Sequence, residues 1–155
     1  MGTASAPGSA DHLLVRAASD QDATGVAALL DVLGYPCSRD DARVRLQHLA
    51  DDPDQQVLVA DRHGCLVGLL ALDVMYYLPL GALTCRITAI AVADTEQRRG
   101  IGKRLLKEAE QRARAAGAAR IELTSALRRE EAHAFYRACG YEDSAVRFLK
   151  RLGDA

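Results

Sequence analysis

The chain has 155 residues, of which 49% are hydrophobic and 26% are charged, and its formal net charge is −1. A chain of this length fits a single domain, because domains of about 150 residues bury roughly two-thirds of the unfolded surface in one core. The composition is that of an ordinary globular protein and excludes a disordered or fibrous chain. The near-neutral charge argues against a protein built to bind nucleic acid.

The sequence also lacks the patterns of a membrane helix and of paired cysteines. No apolar stretch approaches the roughly 20 residues of a membrane helix, and no basic segment followed by a hydrophobic one opens the chain. We therefore expect a cytoplasmic protein without a membrane partner. No C-x-x-C pair occurs among the cysteines, so we expect no metal site and no disulfide framework. The cysteines are Cys37, Cys65, Cys85 and Cys139.

The N-terminal half predicts a tail, a strand, two helices and a hairpin. Residues 1–12 hold almost no large apolar side chain and predict a flexible tail, and one domain is predicted over residues 13–155. A strand is predicted from Leu13 to Arg16. Two capping boxes, each a serine with an aspartate three residues on, predict the helix starts. They are Ser19 with Asp22, and Ser38 with Asp41. Strands are predicted over residues 57–60 and 65–74.

The C-terminal half predicts one β-α-β unit and a closing segment. A strand over residues 84–92, a helix up to Gly117 and a strand around Ile121 and Leu123 form the unit. A further helix is predicted from Glu130 to Cys139, and a final pair of strands from Tyr141 to Leu152. The order is β-α-α-β-β-β-α-β-α-β-β, which predicts an α/β fold with a mixed sheet and helices on both faces.

The turn between the strand ending at Val92 and the next helix has the pattern Q-x-x-G-x-G, from Gln97 to Gly102. A helix start presents free N–H groups and a positive dipole end to an anion. Glycines at 100 and 102 leave room for the anion to approach. Several cations add charge, namely Arg98, Arg99, Lys103, Arg104 and Lys107. These features predict a diphosphate site, whereas the spacing fits neither an ATP loop nor an NAD loop.

Two stretches resemble one known family. Residues 87–106 resemble the acetyl-CoA-binding motif of the GNAT superfamily of N-acetyltransferases, and residues 132–141, A-H-A-F-Y-R-A-C-G-Y, resemble its second motif. The resemblance implies a cofactor, acetyl-CoA, held in a slot between splayed parallel strands. It implies cofactor contacts from Ile90, Ala91, Val92, Gln97, Arg98, Arg99, Gly100, Ile101, Gly102, Lys103 and Arg129. It also implies that Tyr136 is the general acid that protonates the departing thiolate.

The resemblance leaves the base open. Arg86 stands where some members hold a general-base carboxylate, and Arg129 stands where many hold an asparagine. Asp73, Glu122 and His133 are candidate bases, and ordered water could also carry the proton. No cysteine is expected to act as a nucleophile, so direct transfer in a ternary complex is expected.

The sequence favours an active N-acetyltransferase over a module that only binds acetyl-CoA, because a binding module has no use for the Tyr136 hydroxyl. The amine acceptor is left open between a small molecule and a protein amine, and a homodimer is also left open. Loops at residues 33–36 and 75–79 are expected to border the acceptor by family analogy.

Overall fold

A computed structural model describes residues 12–97, 99–125 and 130–153 of the chain. Five strands form one sheet in the order in which they occur along the chain. They are β1 (Leu13–Ala17), β2 (Gln55–Arg62), β3 (Cys65–Tyr77), β4 (Ala82–Val92) and β5 (Arg120–Leu123). The α-helices are α1 (Ala23–Leu33), α2 (Arg39–Ala50), α3 (Ile101–Ala115) and α4 (Glu130–Ala138). The mixed α/β fold predicted from the sequence is confirmed.

The sheet is antiparallel from β1 to β4 and parallel between β4 and β5. The β3–β4 register shifts at Ala71, so that Thr88 is an extra residue on β4. Such a bulge bends the strand and turns the following side chains. The parallel pairing runs only from Thr84 to Ile87 of β4. Residues 88–92 therefore have no β5 partner, and we call this unpaired edge, at the carboxyl ends of the parallel strands, the gap.

The helices cover the sheet from both sides. Helix α3 packs its buried stripe against one face, in a core that includes Leu70, Leu72 and Ile87. Helices α1 and α2 cover Val59 and Leu69 on the other face. The α3 stripe is Ile101, Leu105, Leu106, Ala109 and Ala113. Its spacing of three and four residues places these side chains on one side of the helix, as the sequence predicts.

The predicted capping signals are also confirmed. The hydroxyl of Ser38 accepts from the backbone N–H of Asp41, which caps α2. Ser19 and Asp22 form the second capping box at a short 3₁₀ turn just before α1. Asp22 additionally accepts two hydrogen bonds of 2.9 Å from Arg16 on β1, so this cap is tied to the sheet.

Two expectations about strands are wrong. The predicted final pair of strands is absent, since residues 141–153 contain no strand. A strand requires a partner edge, and aromatic and apolar composition cannot supply one. Strand β3 also continues to Tyr77, so Met75, Tyr76 and Tyr77, expected in a loop over residues 75–79, belong to a strand. The predicted tail, residues 1–12, lies outside the described residues except for His12. No described helix is long and apolar enough to cross a membrane.

Candidate functional site

The turn from β4 into α3 is closed by Gln97. Its side-chain amide donates to the backbone carbonyl of Val92 and to the carboxylate of Asp94, both at 3.3 Å. A 3₁₀ turn, Asp94–Glu96, lies inside this loop, and Glu96 is paired with Arg62 at the end of β2. Gln97 was predicted to contact the cofactor, whereas its described contacts hold the shape of the turn.

The first residues of α3 form an uncapped helix start. Gly100 has φ of 82°, a left-handed conformation, and no side chain caps the helix. The first turn of α3 contains no acidic residue. Helix α2 differs, because its first turn holds Asp40 and Asp41 behind a serine cap. The free N–H groups of α3 therefore donate to no side-chain cap among the described residues, and such a helix start suits an anion.

Cations surround this helix start. Lys103, Arg104 and Lys107 are exposed, and they form no ion pair with the described residues. Arg99 is exposed and lies 4.0 Å from the carboxylate of Glu96. The arrangement suits the diphosphate that the sequence predicts at this turn. Arg98 and Arg129, two of the predicted contacts, lie outside the described residues.

Gly102 joins the two sequence motifs. A Cβ atom at residue 102 would lie 3.2 Å from Cζ of Phe135 and 3.8 Å from Cγ2 of Val92. The glycine therefore allows the ring of Phe135 on α4 to pack against the start of α3 and the end of β4. Sequence reasoning assigned Gly102 to anion approach. Its packing role was missed, although a glycine and a phenylalanine in the two motifs were the available signal.

The predicted general acid lies in an aromatic cluster. The ring of Tyr136 is 5.4 Å from that of Phe135 and 6.3 Å from that of Tyr141. All three rings are partly buried against the core under α3. The hydroxyl of Tyr141 donates to the Glu110 carboxylate at 2.9 Å, and burial together with this bond raises the pKa of Tyr141. Phe135 was predicted to be the core member and Tyr136 the cofactor-facing one, but both pack on the core.

The unpaired end of β4 presents backbone groups to the gap. Ala91 is buried among residues of α1 and α2, and Ile90 and Val92 pack toward the α3 core. Their side chains are thus occupied on the two faces of the sheet. Only the backbone edge that β5 does not pair with is left for a ligand. The family resemblance implies that the pantetheine arm binds at this edge. Ile101, another predicted contact, has its side chain in the core, so only its backbone is available.

A row of three charged residues crosses the sheet below the bulge. Asp73 on β3, Arg86 on β4 and Glu122 on β5 are register partners, and we call them the polar row. Nε of Arg86 lies 3.2 Å from Glu122. Residues in register share a face. Cys85 and Ile87, on either side of Arg86, face α3, so the row lies on the face that carries α1 and α2.

Arg120 extends the polar row. Its guanidinium lies 3.4 Å from Glu122 and 4.7 Å from the ring centroid of Tyr77. Its Nε donates to the hydroxyl of Thr84, which is fully buried. Sequence reasoning missed Arg120 and Thr84, whereas Tyr77 lies in the segment 75–79 that was expected to border the acceptor. The alternation of charged residues on β5 was the available signal, but only the sheet register shows which of them meet.

The remaining candidates are placed as follows. The carboxylate of Asp73 forms no hydrogen bond or ion pair with the described residues, whereas that of Glu122 is paired with two arginines. His133 is half-buried on α4, and after Arg137 it contributes to lowering the pKa of Asp143. Cys85 is fully buried, and burial raises the pKa of its thiol to about 11. Among the described residues, no three His, Cys, Asp or Glu side chains cluster to hold a metal.

Comparisons with known proteins agree with this geometry. The family model for the acetyltransferase (GNAT) family matches residues 11–141. An aminoalkylphosphonate N-acetyltransferase of Salmonella typhimurium is 33% identical over 143 residues, which cover 89% of this chain and 90% of that protein. A GNAT family acetyltransferase of Staphylococcus aureus has a TM-score of 0.79 at 25% identity and covers 91% of this chain and 99% of its own.

A further solved structure, of a transcriptional regulator from Bacillus halodurans, has a TM-score of 0.84 at 25% identity. It covers 91% of this chain and 100% of its own. The match spans both sequence motifs, the gap beside β4 and the helix start at Gly100. The chain therefore belongs to the acetyltransferase (GNAT) family.

Proposed function

We propose that this enzyme transfers the acetyl group of acetyl-CoA to a small amine that also carries an anionic group. The observation that supports it most is the contrast between helix starts. Helix α3 opens with a left-handed glycine, no cap, no acid and exposed cations, whereas α2 opens with a serine cap and two aspartates. A helix start left open in this way suits a diphosphate.

The residues that hold the cofactor follow from this arrangement. Backbone N–H groups between Arg99 and Lys103 bind the diphosphate, and Lys103 and Arg104 add charge-assisted contacts. The uncovered edge of β4 at Ile90 and Val92 binds the pantetheine arm. At this helix start, the charged side chains of Lys103 and Arg104 are exposed, whereas the side chain of Ile101 is buried in the core.

The chemistry is a direct transfer. Bound acetyl-CoA supplies an activated acetyl group next to the end of β4. The amine nitrogen forms a bond to the acetyl carbon while the bond from carbon to sulfur breaks. Tyr136 donates its hydroxyl proton to the sulfur, and the amine loses a proton to water or to a carboxylate. Tyrosine has a reference pKa of about 10, so it holds this proton at pH 7.

The polar row supports the acceptor class. Arg86 and Arg120 offer guanidinium groups to an oxyanion, and Asp73 offers an unused carboxylate to an ammonium group. An acceptor with an amine and an anion would meet complementary charge at both ends. The Salmonella relative is named for aminoalkylphosphonates, which have both groups. A module that only binds acetyl-CoA has no need for this row.

The test is a matched set of acceptors with acetyl-CoA, followed by release of free thiol. We expect 2-aminoethylphosphonate to be acetylated with a higher kcat/KM than ethylamine, which lacks the anion. Arg120→Gln should reduce that preference about tenfold or more, since a charged hydrogen bond contributes about 1.5–3 kcal/mol. Arg114→Gln is the control, because Arg114 is exposed in the last turn of α3, away from the row.

Two outcomes would overturn the proposal. Equal turnover of the two amines by the wild type would exclude the anionic acceptor class while leaving the acetyltransferase intact. Absence of any thiol release with every amine, despite acetyl-CoA binding, would favour the binding module instead.

A further inference from the structure

A charged pair ties the loop between β4 and α3 to strand β2. Arg62 is the last residue of β2, and its Nη1 donates to the carboxylate of Glu96, the last residue of the 3₁₀ turn in that loop. Both side chains are largely buried, with 24% of Arg62 and 16% of Glu96 exposed. Nε of Arg62 is itself buried and has no hydrogen-bond partner among the described residues. The charge of this guanidinium is therefore balanced by Glu96.

The same carboxylate lies near a second cation. Nη1 of Arg99 is 4.0 Å from Oε1 of Glu96, the oxygen that also accepts from Arg62. The side chain of Arg99 is 65% exposed, and the residue directly precedes Gly100 at the start of α3. An exposed ion pair contributes little, so a guanidinium loses little when it leaves one. Arg99 is thus able to turn from Glu96 to a diphosphate at the helix start.

Glu96 by itself would oppose an anion at this place. Its carboxylate stands three residues before Arg99, and without a partner it would repel a diphosphate and attract the guanidinium of Arg99. A largely buried carboxylate needs a partner in any case, because an unpaired buried charge strongly destabilises a fold. Arg62 meets that need from the sheet, so that Arg99 does not have to.

We infer that Arg62 is a positioning residue for acetyl-CoA: by neutralising Glu96, it leaves Arg99 available to bind the diphosphate. This inference rests on the proposed diphosphate site at the start of α3. Arg62 acts through Glu96 and Arg99. Without Arg62, Glu96 would hold Arg99 beside itself, and the diphosphate would meet one cation fewer and one uncompensated carboxylate.

Isothermal titration with acetyl-CoA at low ionic strength tests the role of Arg62. Arg62→Gln should weaken binding about fivefold or more, because it removes a charged contact and adds a repulsion. Glu96→Gln should bind acetyl-CoA at least as tightly as the wild type. The double variant with both substitutions should recover the wild-type affinity. A pair that only held the loop in shape would give the opposite result, with weaker binding in all three variants, and this result would overturn the inference.

The substitution Arg99→Gln tests the second step. In the wild-type background it should weaken acetyl-CoA binding. In the Arg62→Gln background it should have little further effect, because Glu96 already holds Arg99 there. Equal losses of affinity in the two backgrounds would mean that Arg62 and Arg99 act independently, which would contradict the inference.

Arg112→Gln is the matched control. Arg112 also forms a partly buried pair, at 3.0 Å from the carboxylate of Glu108, but in the last turn of α3 and away from the helix start. Its substitution should leave the affinity for acetyl-CoA unchanged.

Thermal unfolding without acetyl-CoA verifies that each variant folds. If Arg62→Gln does not fold, Glu96→Gln decides alone, and weaker binding by that variant would overturn the inference. Equal affinity of the wild type and Arg62→Gln would overturn the inference and leave the diphosphate site standing. A wild type that does not bind acetyl-CoA would overturn the proposed function and the inference together.

Discussion

The ring of Phe135 rests on Gly102, with its Cζ atom 3.2 Å from the place where a Cβ atom at residue 102 would stand. Gly102 and Phe135, 33 positions apart, thus contact each other, and this contact joins the second motif to the turn at Gly100 in the first. Helix α4, which carries Tyr136, can approach this closely because Gly102 has no Cβ atom. A substitution at Gly102 should therefore disturb the packing of both motifs.

Gly102→Ala should lower the free energy of unfolding by up to about 2 kcal/mol, because the cost of about 1–3 kcal/mol for a methyl forced into a packed contact is partly offset by about 1 kcal/mol gained when alanine replaces a helical glycine. Phe135→Leu in the same chain should relieve the clash, because leucine lacks the far end of the ring. Urea unfolding of the wild type, the two single variants and the double variant measures the coupling. Additive effects, without a coupling of about 0.5 kcal/mol or more, would show that the contact is not tight.

Gly100→Asn should weaken acetyl-CoA binding at least tenfold by placing a side chain in front of the diphosphate site. Gly117→Asn is the matched control. Gly100 has φ of 82° and Gly117 has φ of 84°, and an added Cβ would meet no atom within 4 Å at either position. The two glycines flank opposite ends of α3, so both substitutions carry a similar backbone penalty, which asparagine tolerates better than most residues.

Isothermal titration with acetyl-CoA and thermal unfolding of both asparagine variants separate binding from stability. Both variants should unfold at similar temperatures without the cofactor, and only Gly117→Asn should be stabilised by it as strongly as the wild type. Equal affinity of the two variants for acetyl-CoA would refute the proposal that the turn at Gly100 binds the diphosphate.

Tyr136→Phe should lower kcat by about 10²–10⁴-fold with little change in acetyl-CoA affinity, because only the proton donor is removed. Tyr141→Phe removes a hydroxyl from the same aromatic cluster, where it donates to Glu110 at 2.9 Å. That variant should lose about 1 kcal/mol of stability and keep its kcat. Steady-state kinetics under chemistry-limited conditions compare the two. Similar kcat values for both variants would make Tyr136 a structural residue.

Asp22→Asn should remove an acid-sensitive part of the stability. The hydrogen bonds from Arg16 hold the pKa of Asp22 below its ordinary value. A carboxylate with a lowered folded pKa stabilises the fold above the unfolded pKa of about 3.9, and that stabilisation disappears as the pH falls through the folded value. We expect the variant to be less stable by about 1–3 kcal/mol at pH 7 and the difference to shrink below about pH 4.

Denaturant unfolding at several pH values measures this difference. Asp143→Asn is the control, because Asp143 also accepts two hydrogen bonds from an arginine but is 72% exposed. Exposed ion pairs contribute little, so its substitution should change the stability much less. A constant difference between wild type and Asp22→Asn from pH 7 to pH 3 would contradict the assignment.

Replacement of each cysteine by serine should leave turnover largely intact in every variant that folds, since direct transfer needs no thiol. Cys85 is fully buried with a raised pKa, and the pKa of Cys139 is also raised, mainly by burial. A neutral thiol is a poor nucleophile. Mass spectrometry should find no acetylated cysteine as a competent intermediate, and detection of one would require ping-pong kinetics.

The sequence by itself determined the features that depend on neighbours along the chain. The capping boxes at Ser19 and Ser38, the apolar stripe of α3 and the turn at Gly100 are local, because each is made by residues within a few positions of one another. Both motifs of the family are likewise continuous stretches. Local signals of this kind can be read before the chain folds, and the fold class and family followed from them.

Only the tertiary structure decided what depends on partners far apart. Whether residues 141–153 form strands depends on pairing with a sheet edge, and in the described structure they pair with none of the five strands. Gly102 has a second role only because Phe135 comes to rest on it. The polar row exists only because the register of three strands brings Asp73, Arg86 and Glu122 into line. Register is set by the pairing of whole strands, and a slip of one residue would turn each side chain to the opposite face.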